Sequence, residues 1–249
     1  TMLTGALSCF LLGTALADDA TNQPAKPYWQ DIQVVAVNKE APRSSFMSYG
    51  DRATALSSRY EKSPFYSLLN GTWKFYFVDS YKDLPANITD PSVSTSDWDD
   101  ITVPGNWEVQ GHGTAIYTNH GYEFKPQPPL LPEANPVGVY RRDFEVPAGW
   151  DGRDIYLHIA GAKSGLYVYV NGKEVGYSED SKNPAEFLIN KYLQPGKNML
   201  TLKIFRWSTG SYLECQDFWR LSGIERDVYL WSQPKIAVND YRIVSTLDD

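Results

Sequence analysis

From residue 69 onward, apolar and polar positions alternate in short runs, and most runs end at glycine, proline or asparagine. Residues 72–78 put Trp73, Phe75 and Phe77 on one face and Lys74 and Tyr76 on the other. A period of two residues predicts a half-buried strand. Asn70-Gly71 ahead of it is a turn signal. Ile101-Thr102-Val103 offers a short strand stopped by Pro104. Residues 138–146, 155–159, 198–205 and 227–231 read as further strands, and 166–170 runs into Asn171-Gly172, the strongest hairpin signal in the chain. Many short strands, Gly/Pro turns and no long amphipathic helix predict an all-β sandwich. Trp73 and Leu157 are candidate core residues.

The flanks read differently. Residues 18–60 are polar and lack sustained periodicity, which predicts an extended N-terminal arm anchored by side chains such as Trp29 and Phe46. Residues 3–16 are an apolar run ending in Ala15-Leu16-Ala17, with Asp18 and Asp19 next. Small residues three apart closing a short apolar run mark a signal peptide over 1–17, cleaved after Ala17. An exported protein, periplasmic or extracellular, is the expectation, with no membrane span after cleavage. Cleavage removes Cys9 and leaves Cys215 as the only thiol, so no internal disulfide is expected. Pro234 closes the sandwich, and residues 236–247 begin a new alternating segment.

Charge and composition narrow the chemistry. A net charge of −7 and a pI near 5.0 leave no basic stripe to neutralise phosphates, which excludes a nucleic-acid partner. Aromatic residues make up 14% of the chain, and they pack cores as readily as they stack on sugars. The histidines, His112, His120 and His158, are scattered, without metal-ligand spacing. The sequons at Asn70 and Asn87 match a glycosylation pattern, but the turn already explains Asn70.

Three stretches fit neither a strand nor a helix pattern: IYTNHGYEF (116–124), GYSEDSKNPAEF (176–187) and RWSTGSYLECQDFWRLSGIERDVYL (206–230). Each sets carboxylates, amides and aromatics in Gly- or Pro-punctuated loops, where binding residues are commonly mounted on a rigid scaffold. Together they resemble the N-terminal sugar-binding domain of the large β-galactosidases of glycoside hydrolase family 2, over about residues 69–230. The resemblance implies a jelly-roll β-sandwich (galactose-binding-domain-like) over 61–234, with an immunoglobulin-like domain opening at 235–249. It also implies that the catalytic acid and nucleophile are glutamates of a TIM barrel beyond Asp249, so this chain carries no catalytic residue and is inactive alone. Asp180 is implied to reach the galactose site and ligate a sodium ion shared with the barrel. Asn119 is implied to hydrogen-bond the galactosyl unit. Magnesium is expected in the barrel. The expected partners are a β-galactoside substrate and the protein's own C-terminal domains, and a homo-oligomer is left open.

Retaining glycosidases need two carboxylates about 5–5.5 Å apart. Glu214 and Asp217 tempt as such a pair, but the preferred reading makes them ion-pair partners of Arg206, Arg220 or Arg226 that lock the loop. Glu179 and Glu186 are read as structural, and the 206–230 loops as the barrel-facing side. Cys215 stands where the family leads one to expect an acid. Rival readings are a β-glucuronidase or β-mannosidase on the same architecture, a stand-alone carbohydrate-binding module, or a purely structural sandwich.

Overall fold

The computed structural model describes residues 26–214 and 217–247. The signal segment 1–17 with Cys9, and Cys215, lie outside them. In chain order the strands are β1 (Ala36–Val37), β2 (Tyr66–Leu68), β3 (Gly71–Val78), β4 (Asp99–Val103), β5 (Gly105–Asn106) and β6 (Ile116–Thr118). Then come β7 (Val137–Glu145), β8 (Asp154–Ile159), β9 (Ala162–Lys163), β10 (Gly165–Val170) and β11 (Lys173–Ser178). β12 (Ala185–Leu188), β13 (Lys197–Phe205), β14 (Phe218–Arg220), β15 (Gly223–Ile224) and β16 (Val228–Gln233) complete the set. Among the described residues the one α-helix, Arg52–Leu56 in the arm, spans five residues, its first turn held by the Asp51 side chain accepting from the Thr54 N–H.

Two sheets carry the architecture: seven strands in the order β1-β11-β10-β13-β7-β3-β4, and four in the order β12-β8-β16-β2. Every pairing in both is antiparallel. The expected all-β jelly-roll sandwich is what forms. Between the sheets, Trp73, Phe75 and Ile101 meet Leu157, Phe187 and Leu230 in one apolar core. Trp73 and Leu157 are buried as expected. The Trp73 indole also donates to the Leu69 carbonyl at 2.8 Å, so its polar atom is satisfied inside. Gly138 belongs to this packing: a Cβ there would meet the Trp107 and Phe75 rings at 2.6–2.7 Å.

The hairpin at Asn171-Gly172 joins β10 to β11, with φ of +53° and +76°, the signs a tight primed turn requires. Asn70 is tied into the fold, its amide donating to Asp227 at 2.7 Å and accepting from the Val228 N–H at 2.9 Å.

The arm is more ordered than its polarity suggests. β1 pairs with β11, and Trp29 is fully buried against the outer face of the large sheet. Phe46 is only partly buried; the neighbouring Met47 enters the small cluster with Tyr229 and Trp231 on the outer face of the four-stranded sheet. Residues 236–247 carry no strand, because a strand needs a ladder partner and the described residues give this segment none. It rests on the arm instead: the Ser44 N–H donates to Asp240 at 2.8 Å and the Ser44 hydroxyl to the Tyr241 carbonyl at 2.7 Å.

Candidate functional site

The three loop stretches converge at one end of the sandwich. Residues 116–118 and 218–220 pair as the two-stranded ribbon β6–β14, with Trp219 opposite Tyr117. Asn119 follows directly, exposed, in a turn that Thr118 holds by donating its hydroxyl to the His120 carbonyl at 2.8 Å. Asn119, Tyr122, Tyr212, Glu214 and Arg220 line a cleft of about 480 Å³. On one wall Tyr122 packs edge-on to Tyr212 with ring centres 4.8 Å apart.

Asp180 owes its position to its neighbours. Glu179 is buried and accepts from the Tyr177 hydroxyl at 2.7 Å and from the Thr209 hydroxyl and Gly210 N–H, each at 2.8 Å. Burial pushes its carboxyl above the usual range, against those three bonds. Ser181 is also buried, and its N–H and hydroxyl both donate to the Glu214 carboxylate, at 2.9 and 2.6 Å. Between these two anchors the Asp180 side chain is left 52% exposed. It accepts from the Asn183 amide at 3.1 Å on each oxygen, with the Lys39 ammonium 3.9 Å away.

Asn119 and Asp180 therefore stand in separate clefts. Asp180 shares its own, of about 380 Å³, with Lys39, Arg43, Asn183 and Glu186. Glu214 links the two, lining the Asn119 cleft while gripping the residue after Asp180. Burial raises the Glu214 pKa, the nearby Asp180 charge adds to this, and the Ser181 bonds and the Lys163 charge oppose it.

The loop is locked as expected, but through other partners. The Glu214 carboxylate binds Ser181 rather than an arginine, while its backbone carbonyl accepts from Arg220, and Asp217 accepts from the Tyr117 hydroxyl at 2.9 Å. The arginines turn to buried acids that the sequence pattern did not mark: Arg206 lies 3.8 Å from Glu108, and Arg220 lies 3.4 Å from Glu123. All four side chains are nearly inaccessible. An arginine charge so enclosed needs a carboxylate close by, and the four acids of the loop motif are engaged elsewhere, Glu214 by Ser181, Asp217 by Tyr117, Glu225 by Lys182 and Asp227 by Asn70. Arg226 instead donates to the Lys182 carbonyl. Glu186 is structural as expected, taking two bonds from Arg43 and one each from His158 and Trp231.

An alkali cation is suited by hard carboxylate oxygens, and half-exposed Asp180 supplies them. Among the described residues no group of three His, Cys, Asp or Glu gathers around an ion site.

The topology is that of an antiparallel two-sheet sandwich, and the class it belongs to follows from the family match. Residues 66–234 match the family described as "Glycosyl hydrolases family 2, sugar binding domain", and the chain belongs to that family. It is 39% identical over 229 residues to a Beta-galactosidase of Priestia megaterium, covering 90% of this chain and 22% of that protein. It is 42% identical over 223 residues to a Beta-galactosidase of Psychromonas ingrahamii, covering 88% and 21%. The chain thus spans about a fifth of the length of these relatives. Among solved structures it resembles Bacteroides uniformis beta-glucuronidase 2, at a TM-score of 0.52 and 26% identity over 68% of this chain and 18% of that one.

Proposed function

We propose that this chain is the N-terminal portion of an exported, retaining β-galactosidase that hydrolyses terminal non-reducing β-D-galactose residues. Asp180 and Asn119 form part of one wall of the galactose pocket. The acid/base and nucleophile glutamates lie in a barrel beyond residue 249, and residues 235–249 open an intervening immunoglobulin-like domain. Asp180 offers a carboxylate to a sodium ion shared with that barrel, and magnesium belongs to the barrel itself. The observation that carries this reading is the clamped loop: Glu179 and Ser181 are anchored inward, so Asp180 presents its carboxylate outward, half exposed. A carboxylate so placed accepts charge-assisted bonds from sugar hydroxyls. The naming of the sequence relatives as β-galactosidases supports the choice of sugar.

The solved neighbours named as β-glucuronidases favour a second reading, in which the same domain serves an enzyme acting on glucuronides. Assaying the full-length protein on paired aryl β-galactoside and β-glucuronide substrates, with and without sodium, separates the two. The proposal expects turnover of the galactoside with stimulation by sodium. Turnover of the glucuronide alone would replace it with the second reading.

A further inference from the structure

The large sheet has an outer face, turned away from the sandwich core. There β10 and β13 set Tyr167 opposite Lys203, and β11 sets Glu174 opposite Tyr169. The arm covers part of this face. Trp29 stacks on Phe205 with ring centres 5.0 Å apart, and Tyr28 lies parallel to Tyr167 at 5.7 Å. Between the arm, the loop around 84–89 and the strands a cleft of about 480 Å³ stays open, within the usual size of small-molecule sites.

Lys203 is the unusual member of this cleft. Its ammonium sits 4.7 Å from the Tyr167 ring centre, 5.4 Å from Tyr169 and 5.7 Å from Phe205. Among the described residues no carboxylate lies within salt-bridge distance and no hydrogen bond engages it. Burial pushes it below its usual range, while the charge of Glu174 pulls the other way. Ring faces attract a cation but offer its three N–H donors no oxygen, and because Lys203 is partly exposed to the open cleft those donors are free to meet the oxygens of water or of a ligand. Glu174 is exposed, and the Tyr169 hydroxyl donates to one of its oxygens at 3.1 Å. Its negative charge disfavours a simple anion beside the lysine. A neutral polyol satisfies both groups: its oxygens accept from the ammonium, its hydroxyls donate to the carboxylate, and its C–H face lies on tyrosine.

The geometry points to a second saccharide site, formed by Tyr28, Tyr167, Tyr169, Glu174 and Lys203, that takes a neutral pyranoside on the outer face of the sheet. It is independent of Asp180 and Asn119, so it stands whether or not these reach a galactose pocket.

Amide NMR of the full-length protein, isotopically labelled only over residues 1–249 and titrated separately with lactose, cellobiose and inorganic phosphate, tests it. The expected result is saturable shifts at residues 28, 167, 169 and 203 with at least one disaccharide. Lys203→Met keeps the aliphatic stem and removes the charge, and Glu174→Gln alters an exposed position, so both variants should fold, as a thermal melt checks. Each should weaken binding by about tenfold or more. The Asp180→Asn, Asn119→Ala double variant should bind as the parent does. No saturable shift at these residues up to about 50 mM of either disaccharide overturns the site. So does binding of phosphate alone, or disaccharide affinity unchanged in folded Lys203→Met.

Discussion

Between Glu179, which accepts three hydrogen bonds, and Ser181, which donates two, the backbone gives Asp180 little freedom to turn its carboxylate inward. The two positions should respond to mutation in opposite ways. In the full-length enzyme, Asp180→Asn keeps the shape and removes the charge. Hydrogen bonds to charged groups contribute roughly 1.5–3 kcal/mol each. Losing about 3 kcal/mol in the transition state should lower kcat/KM by on the order of a hundredfold. Sodium activation should weaken too, while the melting temperature stays near the parent's, because the side chain is half exposed. Kinetics across a sodium series, alongside a melt, check this; parental kcat/KM with an unchanged sodium response would make Asp180 a solvated turn residue. Ser181→Ala should do the reverse at first. It strips one of the two Ser181 donors from the half-buried Glu214 carboxylate and should cost about 1–3 kcal/mol of stability in a denaturant melt. No loss of stability would mean that Glu214 does not depend on that bond.

Elements differ in how openly the sequence declares them. β3 alternates because only one of its faces meets the core, so Trp73 and Phe75 could be picked from the pattern. All six residues of β10 are buried, because the arm and its aromatics cover the second face, and no local period encodes that. Ser181 and Glu214 are 33 positions apart, and their bond follows from topology rather than spacing. The arm shows this most plainly, since its anchors are contacts with distant strands. Arg43 binds Glu186 through two nitrogens, at 3.0 and 3.1 Å, and its guanidinium stacks over Trp231 at 4.5 Å. Burial would raise the Glu186 pKa, but the His158 hydrogen bond and the charges of His158 and Arg43 outweigh it, and the net shift is downward. A carboxylate with a depressed folded pKa contributes stability that is present above its unfolded value, near 4.5, and lost as pH falls through the folded value. Acidification below about 4.5 should therefore loosen residues 39–49 before the sheets melt. Hydrogen exchange across a pH series checks this; uniform protection down to global unfolding would show that the arm does not depend on the pair. Glu186→Gln should loosen the segment already at neutral pH.

At the scale of the whole molecule, the fold was legible because turn signals and alternation agree along 69–231, whereas the site was legible only through the resemblance of its loop motifs. Asn119 and Asp180 read as ordinary turn residues, and nothing local marks the cleft around Lys203. The catalytic pair lies outside the chain in the proposal, so purified residues 1–249 should hydrolyse an aryl β-galactoside no faster than buffer. Measurable turnover that disappears on replacing Glu214 or Asp217 would move catalysis into the aromatic loop. The docking of the arm also carries a consequence for synthesis. Asn38 donates its amide to the Val175 carbonyl, 137 positions later, and Trp29 stacks on Phe205. The arm, made before the strands it docks on, is thus among the last to find its place. While the ribosome extends the chain, Tyr28, Trp29 and β1 must wait without their partners until Phe205 has cleared the exit tunnel, a delay of roughly ten seconds or more at ordinary elongation rates. Contacts of such long sequence separation fold slowly and leave apolar surface open to chaperones in the interval. Nascent chains stalled short of residue 205 should be cut by protease within 26–38, and chains stalled well beyond it should resist. Equal cutting at both lengths would mean that the arm does not wait for the sheet.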